Sequence, residues 1–372
     1  MKLSNYKHLA RQSYTWLCRS VIKKDKLTSR IVYLASFPQD ISWLKNVASE
    51  LEVPIYLYVT SKAAPSVQNL QDDPNFIIKP LAYHWAFWQK DLSFIYNSQI
   101  ILADNYFPFF GAFTKRAGQH IVQLWHANGA IKKFGLEDPK VTSTAERRLH
   151  HKVYQAFTDY VVGSDIMGDI FMNAYGATAE QLIKIGYPRS DLYHHSQQAQ
   201  LKEQFLALNP QYRKQELWLY APTYRLNNDY PNVRQSLAEQ NVTLIEMYHP
   251  SSSVPSTNYQ GSQAMLLAAI DCLITDYSSL PFDYANLHPN GKIIYFQYDQ
   301  AEYELLYGLQ SFFMNQNQQP IVKTISELQR EIKQTADMDL TSFNQIWNQY
   351  NDGYAAKRLG QLLHKWLKEV AN

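Results

Sequence analysis

Two consecutive sets of short, continuously apolar runs constrain the fold of this chain more than any other feature of its sequence. The first set reads RIVYLAS (30–36), VPIYLYV (53–59), FIIKP (76–80), QIILAD (99–104), HIVQLWH (120–126), DYVVGS (159–164) and LIKIGYP (182–188). The second reads LWLYAP (217–222), VTLIEMYHP (242–250), CLITD (272–276) and KIIYFQY (292–298). Runs without polar alternation are typical of parallel strands covered on both faces. The pattern predicts an α/β chain with two doubly wound, Rossmann-like halves and a cleft between them.

The point at which the strand pattern restarts divides the chain. We expect an amphipathic segment over 1–28, an N-terminal domain over 29–195 and a C-terminal domain over 196–372, each of the two domains being of ordinary size. Apolar residues between Leu359 and Val370 form one face of a last helix. That helix is expected to pack on a domain, and the N-terminal domain is one candidate.

Composition excludes several classes of protein. Cys18 and Cys272 are far apart in sequence, so neither a disulfide framework nor a structural zinc site is expected. No apolar stretch approaches the ~20 residues of a membrane span, and Arg11 and Arg19 interrupt any signal-peptide core. No glycine-rich dinucleotide fingerprint, Walker A lysine or carboxylate cluster with metal spacing occurs. We expect no transmembrane helix, no tightly bound cofactor or metal, and no nucleic-acid partner.

The N-terminal segment carries a local excess of positive charge. Its first 30 residues hold eight basic residues against one acidic residue, while the net charge of the whole chain is only +2. Apolar residues recur there at helical spacing: Leu3, Tyr6, Ala10, Tyr14, Leu17 and Val21. This pattern predicts a basic amphipathic helix on an anionic membrane surface. The alternative is a helix that packs its apolar stripe on the protein and leaves the lysines in water.

Polar residues follow the strands of the second half, at the carboxyl ends where open α/β sheets bind ligands. Ser278 and Ser279 precede Pro281 at the start of a predicted helix, where free backbone N–H groups attract an anion. A plain N-cap serine is the alternative there. Arg225 follows another strand and could donate two hydrogen bonds to a pyrophosphate. His249 follows a third and could donate a hydrogen bond to a phosphate oxygen, the alternative being a turn histidine with no ligand.

In the first half, the segment LWHANGAIKKFG (124–135) places His126 at a strand end. A histidine there can take the proton of an attacking hydroxyl as a general base. Lys132 and Lys133 could hold the phosphates of an acceptor, with a solvated side chain as the alternative for at least one of them.

Five motifs together resemble the CDP-glycerol glycerophosphotransferase family of teichoic acid synthesis. They are QLWHANGAIKKFG (123–135), IGYPRSD (185–191), LYAPTYR (219–225), YHPSS (248–252) and LITDYSSLPFDYANL (273–287). The resemblance implies a GT-B-like fold of two Rossmann-like domains, with CDP-glycerol bound by the C-terminal one and CMP as the leaving group. The first motif is most similar to the short glycerophosphate primases, although many family members have Gly-Thr-Pro where this chain has Ala-Asn-Gly.

The resemblance also implies a role for each matching position. His126 is the candidate general base, and His249 would contact the pyrophosphate or assist departure of CMP. The implied contacts of CDP-glycerol are Thr223, Arg225, His249, Asp276, Ser278, Ser279 and Asp283. The implied contacts of the acceptor are Asn128, Gly129, Lys132 and Lys133.

The predicted activity is that of a primase. It would transfer glycerol phosphate from CDP-glycerol to the ManNAc of lipid-linked ManNAc-GlcNAc-diphosphoundecaprenol, on the cytoplasmic face of the membrane. One alternative is a chain-extending transferase of the same family that uses glycerol or ribitol phosphate. Another is a CMP-sialate-type GT-B transferase of capsule synthesis, since His-Pro and Ser-Ser motifs also occur there. The sequence predicts neither a divalent-metal requirement nor an oligomeric state.

Overall fold

A computed structural model describes residues 13–83, 87–316, 318–334 and 338–369 of the chain. These residues form two compact units that are interleaved in sequence. Unit 1 contains the described residues up to His126, then Phe134–Asp191, and those from Tyr354 onward. Unit 2 contains Ala127–Lys133 and the described residues of Leu192–Gly353.

The described part of unit 1 is built on one sheet of seven parallel strands, in the order β3-β2-β1-β4-β5-β6-β7. The strands are β1 (Thr28–Ala35), β2 (Ile55–Val59), β3 (Phe76–Pro80), β4 (Ser98–Ala103), β5 (His120–Gln123), β6 (Asp159–Val161) and β7 (Leu182–Ile183). The helices are α1 (13–21), α2 (Leu44–Ala48), α3 (Leu92–Tyr96), α4 (Thr144–Tyr154), α5 (Asp165–Tyr175) and α14 (Ala355–Glu369). Every residue of β4 is buried, which explains why that run contains no polar alternation.

In the described residues of unit 2, five parallel strands form a second sheet in the order β12-β11-β10-β8-β9. They are β8 (Glu216–Ala221), β9 (Val242–Glu246), β10 (Cys272–Thr275), β11 (Lys292–Phe296) and β12 (Ile321–Val322). The helices are α6 (Gln198–Leu208), α7 (Val233–Ser236), α8 (Gln263–Ala269), α9 (Leu280–Leu287), α10 (Gln300–Tyr307), α11 (Ser311–Gln316), α12 (Ile325–Lys333) and α13 (Thr341–Trp347). The predicted α/β class with parallel sheets is confirmed, and β12, only two residues long, is the strand that the apolar runs did not reveal.

The segment Ala127–Lys133 belongs to unit 2, although the sequence pattern places it inside the N-terminal domain. The backbone N–H of Gln310 donates to the carbonyl oxygen of Ile131 at 2.8 Å, and the N–H of Lys133 donates to that of Gly308 at 3.2 Å. We call Ala127–Lys133 the strap. It joins unit 2 directly after His126, because its backbone polar groups find their partners there.

The last helix, α14, is part of unit 1. Its first two backbone N–H groups, from Ala355 and Ala356, donate to the carboxylate of Asp191 at 3.0 and 2.8 Å. A Cβ atom at Gly360 would lie 2.7 Å from the carbonyl oxygen of Val47, so only glycine allows α14 to lie this close to α2. The chain thus returns to unit 1 after completing unit 2.

The helix α1 is the described part of the predicted membrane segment. It packs on unit 1 through Thr15 and Cys18, while Leu17 is 42% exposed and Trp16 is 70% exposed. The exposed Leu17 contradicts the alternative in which the apolar stripe packs on the protein, and the membrane contact of the stripe stays a prediction. A Cβ built on Gly111 would lie 3.7 Å from the Thr15 hydroxyl, so small side chains face the protein at this close approach. The predicted stripe positions Leu3, Tyr6 and Ala10 lie outside the described residues.

Candidate active site

Three neighbouring strands of unit 1, β1, β4 and β5, end at the same edge of the sheet. Ser36 and Phe37 follow β1, Asp104 follows β4, and His126 follows β5 after two further residues. Since the carboxyl ends of parallel strands share one edge, these side chains meet there.

The imidazole ring of His126 is half-buried and held by two groups. The ring of Phe37 stacks on it with centroids 3.7 Å apart and an interplanar angle of 11°. Its Nδ1 lies 3.2 Å from the backbone carbonyl oxygen of Asp104. A carbonyl oxygen can only accept, so this geometry assigns the proton of the neutral ring to Nδ1 and leaves Nε2 as the basic nitrogen.

The buried carboxylate of Asp104 fixes the loop that carries Phe37. It accepts hydrogen bonds from the Ser36 N–H and hydroxyl, both at 2.8 Å, and from the Phe37 N–H at 3.0 Å. Burial raises the pKa of Asp104 to about 6, even though these hydrogen bonds act to lower it. Asp104 therefore orients the His126 ring in two ways. Its carboxylate holds Phe37, which stacks on the ring, and its backbone carbonyl oxygen accepts a hydrogen bond from Nδ1.

The residue before the histidine, Trp125, has a φ of +61°, a left-handed conformation that is unusual for a large side chain. Its N–H donates to the side-chain oxygen of Gln123 at 2.9 Å, and its ring lies 4.5 Å from that of Phe134. Such a conformation costs roughly 1–3 kcal/mol and persists where its surroundings impose it, commonly at functional sites. It turns the chain directly before His126.

In unit 2, the neighbouring strands β10, β8 and β9 also end at one edge. The predicted CDP-glycerol contacts that follow these strands are Thr223, Arg225, His249, Asp276, Ser278 and Ser279. The structure thus gathers six of the seven predicted donor-binding residues at the carboxyl edge of three adjacent strands.

Arg225 is only 8% exposed, and carboxylates already occupy its guanidinium group. Its Nη2 donates to Asp276 at 2.8 Å, and its Nε donates to Asp299 at 2.6 Å. Burial alone would lower the pKa of Arg225, but the hydrogen bond to Asp299 and the charge of Asp276 raise it overall. Burial raises the pKa of Asp276, and the positive charge of Arg225 opposes that shift. These contacts let Arg225 brace the strand ends, and its direct contact with the pyrophosphate stays a prediction.

Ser278 and Ser279 lie half-buried at the N-terminus of α9. Ser279 occupies the N-cap position without a capping hydrogen bond from its side chain, and Pro281 lies in the first turn as predicted. The hydroxyl of Ser278 accepts from the N–H of Leu280 at 3.2 Å. The plain N-cap alternative therefore does not describe Ser279, whereas the Ser278 hydroxyl does bond the first helical N–H of α9.

His249 is exposed, and its Nδ1 has the opposite hydrogen-bonding role to that of His126. Its Nδ1 accepts a hydrogen bond from the N–H of Ser251 at 3.1 Å. The proton of the neutral ring therefore lies on Nε2, which makes that nitrogen a donor. The ring of Tyr224 lies 5.4 Å away.

The predicted acceptor contacts all lie in the strap. The amide Nδ2 of Asn128 donates to the carboxylate of Asp283 at 2.6 Å, and both side chains are buried. A Cβ on Gly129 would lie 2.6 Å from the ring of Phe282, so the strap needs glycine there. The stem of Lys133 covers Gly308, and Lys132 forms an isolated antiparallel bridge with Leu309. Asn128, Gly129 and Asp283 thus hold the strap on α9.

Three residues of these edges were not singled out from the sequence. Asp104 and Asp299 could have been found, because each is an acidic residue directly or shortly after an apolar run. Phe37 carried no signal, since an aromatic residue in a loop has no pattern that indicates stacking. Among the described residues, no group of three His, Cys, Asp or Glu side chains is placed to hold a metal ion.

Two parallel β-sheets covered by helices, each with polar side chains gathered at its carboxyl edge, define an α/β fold of the GT-B-like class. Two solved structures of the wall teichoic acid polymerase TagF share this fold, with TM-scores of 0.73 and 0.71 at 18% and 19% identity, and the match covers all of this chain and all of theirs.

Sequence relatives narrow the class further. A teichoic acid glycerol-phosphate primase of Staphylococcus aureus is 30% identical over 90% of this chain and 91% of its own length. One of Bacillus subtilis is 31% identical over 73% of this chain and 74% of its own length. Residues 84–365 match the model of the CDP-glycerol:poly(glycerophosphate) glycerophosphotransferase family, and the chain belongs to that family. It is therefore a glycerophosphotransferase.

Proposed function

We propose that the protein is a teichoic acid glycerol-phosphate primase, which moves one glycerol phosphate from CDP-glycerol to the ManNAc of lipid-linked ManNAc-GlcNAc-diphosphoundecaprenol. The observation that carries this proposal is the opposite protonation geometry of His126 and His249. One histidine has a basic Nε2 at the carboxyl edge of unit 1, and the other has an Nε2 donor at the carboxyl edge of unit 2. Similarity to primases supports the choice of substrate.

In the proposed reaction, Nε2 of His126 takes the proton of the 4-hydroxyl of ManNAc as its oxygen attacks the phosphorus that bears glycerol. The new P–O bond forms as the bond from that phosphorus to the CMP oxygen breaks, and CMP leaves with the electron pair. Nε2–H of His249 donates to the oxygen on which negative charge develops. The proton that remains on His126 passes to solvent before the next turnover.

The remaining residues hold or bind. Phe37 and Asp104 keep the His126 ring in one orientation, so that Nε2 is the nitrogen presented to the acceptor. Ser278 and Ser279 bind the donor phosphates at the positive end of α9. Arg225 and Asp276 act indirectly, through the backbone of their neighbours. Asp276 accepts from the N–H groups of Thr223 and Tyr277, and Arg225 donates to the carbonyl oxygen of Thr223.

We also propose that α1 contacts the cytoplasmic face of the membrane. Trp16 and Leu17 are exposed apolar side chains, and the exposed cations Arg19, Lys23 and Lys24 follow them closely. An amphipathic surface of this composition favours anionic lipid. Replacing Trp16 and Leu17 by serine should weaken binding to anionic vesicles, measured by co-sedimentation, whereas unchanged binding would contradict the proposal.

Mass spectrometry of the lipid-linked disaccharide after incubation with CDP-glycerol tests the activity. A single added glycerol phosphate is expected. A ladder of products would identify a chain-extending transferase. Failure with CDP-glycerol, combined with a product from CDP-ribitol or CMP-sialate, would overturn the proposed donor.

A further inference from the structure

A cavity of about 690 Å³ lies along the outward face of α4, in the same unit as His126. One helix face supplies the cations Arg147, Arg148 and Lys152 and the imidazole ring of His151 to its lining. Leu136 and Leu149 add an apolar wall, and none of the described lining residues is acidic. Permanent positive charge beside an apolar surface fits an amphiphile with an anionic group.

The cations of this α4 face form no ion pairs with the described acidic residues. Among the described residues, none of Arg147, Arg148 and Lys152 forms an ion pair. Arg148 and Lys152 are separated by four residues on one helix. Like charges at this spacing destabilise a helix, so the arrangement has a cost that a bound anion would offset.

The C-terminal end of α4 contacts a cluster of aromatic rings that includes the neighbour of His126. The ring of Tyr154 lies 4.5 Å from that of Tyr175, which in turn lies 6.1 Å from Trp125. Leu136, in the cavity wall, comes two residues after Phe134, whose ring also contacts Trp125. Ring contacts therefore link the cavity wall to Trp125, the residue that precedes the proposed base.

The α4 face and the strap lysines belong to different units. Lys132 and Lys133 belong to unit 2, and the stem of Lys133 packs over Gly308. The α4 face is a basic surface of the unit that contains His126. It is where the lipid-linked acceptor would place its diphosphate while its distal sugar reaches the base.

We propose that the α4 cavity binds the diphosphate of the lipid-linked acceptor, with the guanidinium groups of Arg147 and Arg148 as its principal ligands and Leu136 and Leu149 against the first part of the lipid. This inference rests on the proposed function, because it takes the acceptor from it. Arginine suits the site, since its planar group donates two parallel hydrogen bonds to phosphate oxygens.

The test compares two acceptors that carry the same disaccharide, one on a lipid diphosphate and one on an uncharged O-alkyl chain. The double variant Arg147→Gln/Arg148→Gln should raise the KM of the diphosphate acceptor about tenfold. The KM of the uncharged acceptor and that of CDP-glycerol should not change. The matched control is Lys365→Gln/Lys368→Gln, which removes two exposed cations from α14 of the same unit and should leave all three values unchanged.

A binding measurement separates this inference from the proposed activity. The native protein should bind farnesyl diphosphate more tightly than farnesol, and the double variant should lose that preference. If neither acceptor is a substrate, the proposed function fails, while this titration still tests the site. An unchanged preference in the double variant, or an equal rise in KM for both acceptors, overturns the inference. The inference is also overturned if the double variant loses only its binding to phosphatidylglycerol vesicles, because the α4 face would then bind lipid headgroups and not the acceptor diphosphate.

Discussion

The two histidines that follow strands β5 and β9 show how the same side chain is prepared for opposite tasks. Nδ1 of His126 faces the carbonyl oxygen of Asp104, so the proton lies on Nδ1 and Nε2 is basic. Nδ1 of His249 accepts from the N–H of Ser251, so the proton lies on Nε2. The backbone atom that each Nδ1 meets, an acceptor in one unit and a donor in the other, decides which histidine can take a proton and which can give a hydrogen bond.

The two surroundings differ in rigidity as well. His126 is stacked under Phe37, and a buried carboxylate ties that loop at three points. His249 lies on an exposed loop, held by hydrogen bonds from Ser252 and Ser253 to the side chain of Asn228. A base must keep one nitrogen aimed at a hydroxyl, whereas a hydrogen-bond donor tolerates movement with the leaving group.

The largest expected effect is the loss of the base. His126→Ala should lower kcat about a thousandfold, because general-base catalysis commonly contributes 10²–10⁴-fold, while the affinity for CDP-glycerol should not change. Single-turnover kinetics and calorimetric titration of CDP-glycerol measure the two quantities separately. Residual turnover together with lost donor binding would remove His126 from the role of base.

The brace in unit 2 should matter mainly for stability. Arg225→Ala leaves Asp276 buried without its charge partner, which should lower the free energy of unfolding by about 4 kcal/mol. The control is Arg234→Ala, which removes an exposed pair with Glu246 and should cost about 0–1 kcal/mol. Urea unfolding followed by circular dichroism gives both values. Equal stabilities of the two variants would show that Arg225 is not a brace.

The buried carboxylate beside His126 should make stability depend on pH. Because the pKa of Asp104 is raised to about 6 in the folded protein, the folded state keeps a proton that the unfolded state has already lost. Its contribution is fully present below the unfolded pKa and is lost as the pH rises through about 6, a change of about 3 kcal/mol.

Asp104→Asn should remove this part of the pH dependence of the free energy of unfolding, even if the variant is also less stable at every pH. Unfolding midpoints of the native protein and the variant between pH 4 and pH 8 provide the comparison. Parallel curves for the two proteins would contradict the assigned burial effect.

The smallest expected effect concerns Phe37. Phe37→Ala should lower kcat about tenfold with little change in the KM of CDP-glycerol, since the ring positions the base and touches no substrate in the proposed reaction. Phe37→Tyr keeps the stacking surface and should restore activity. If Phe37→Tyr lowers kcat as much as Phe37→Ala does, ring stacking is not what orients His126.

The fold was accessible from the sequence because both sheets are parallel and buried on both faces, which leaves apolar runs such as QIILAD in plain view. Because open α/β sheets bind ligands at the carboxyl ends of their strands, the sequence also indicated His126, His249, Ser278 and Ser279. The strap was not accessible, because an amide that bonds a carboxylate across 155 positions leaves no local pattern. The buried face of α1, formed by Thr15 and Cys18, was not predicted for a related reason, since the contact of Thr15 with Gly111 is a tertiary one.

The most direct test of the account is a pair of glutamine variants. An amide can donate a hydrogen bond but cannot take up a proton at neutral pH. We therefore expect His249→Gln to be clearly more active than His249→Ala in the transfer of glycerol phosphate to the acceptor, and His126→Gln to be no more active than His126→Ala. Comparable activity of the two glutamine variants, or rescue at position 126 alone, would contradict the opposite roles of the two histidines.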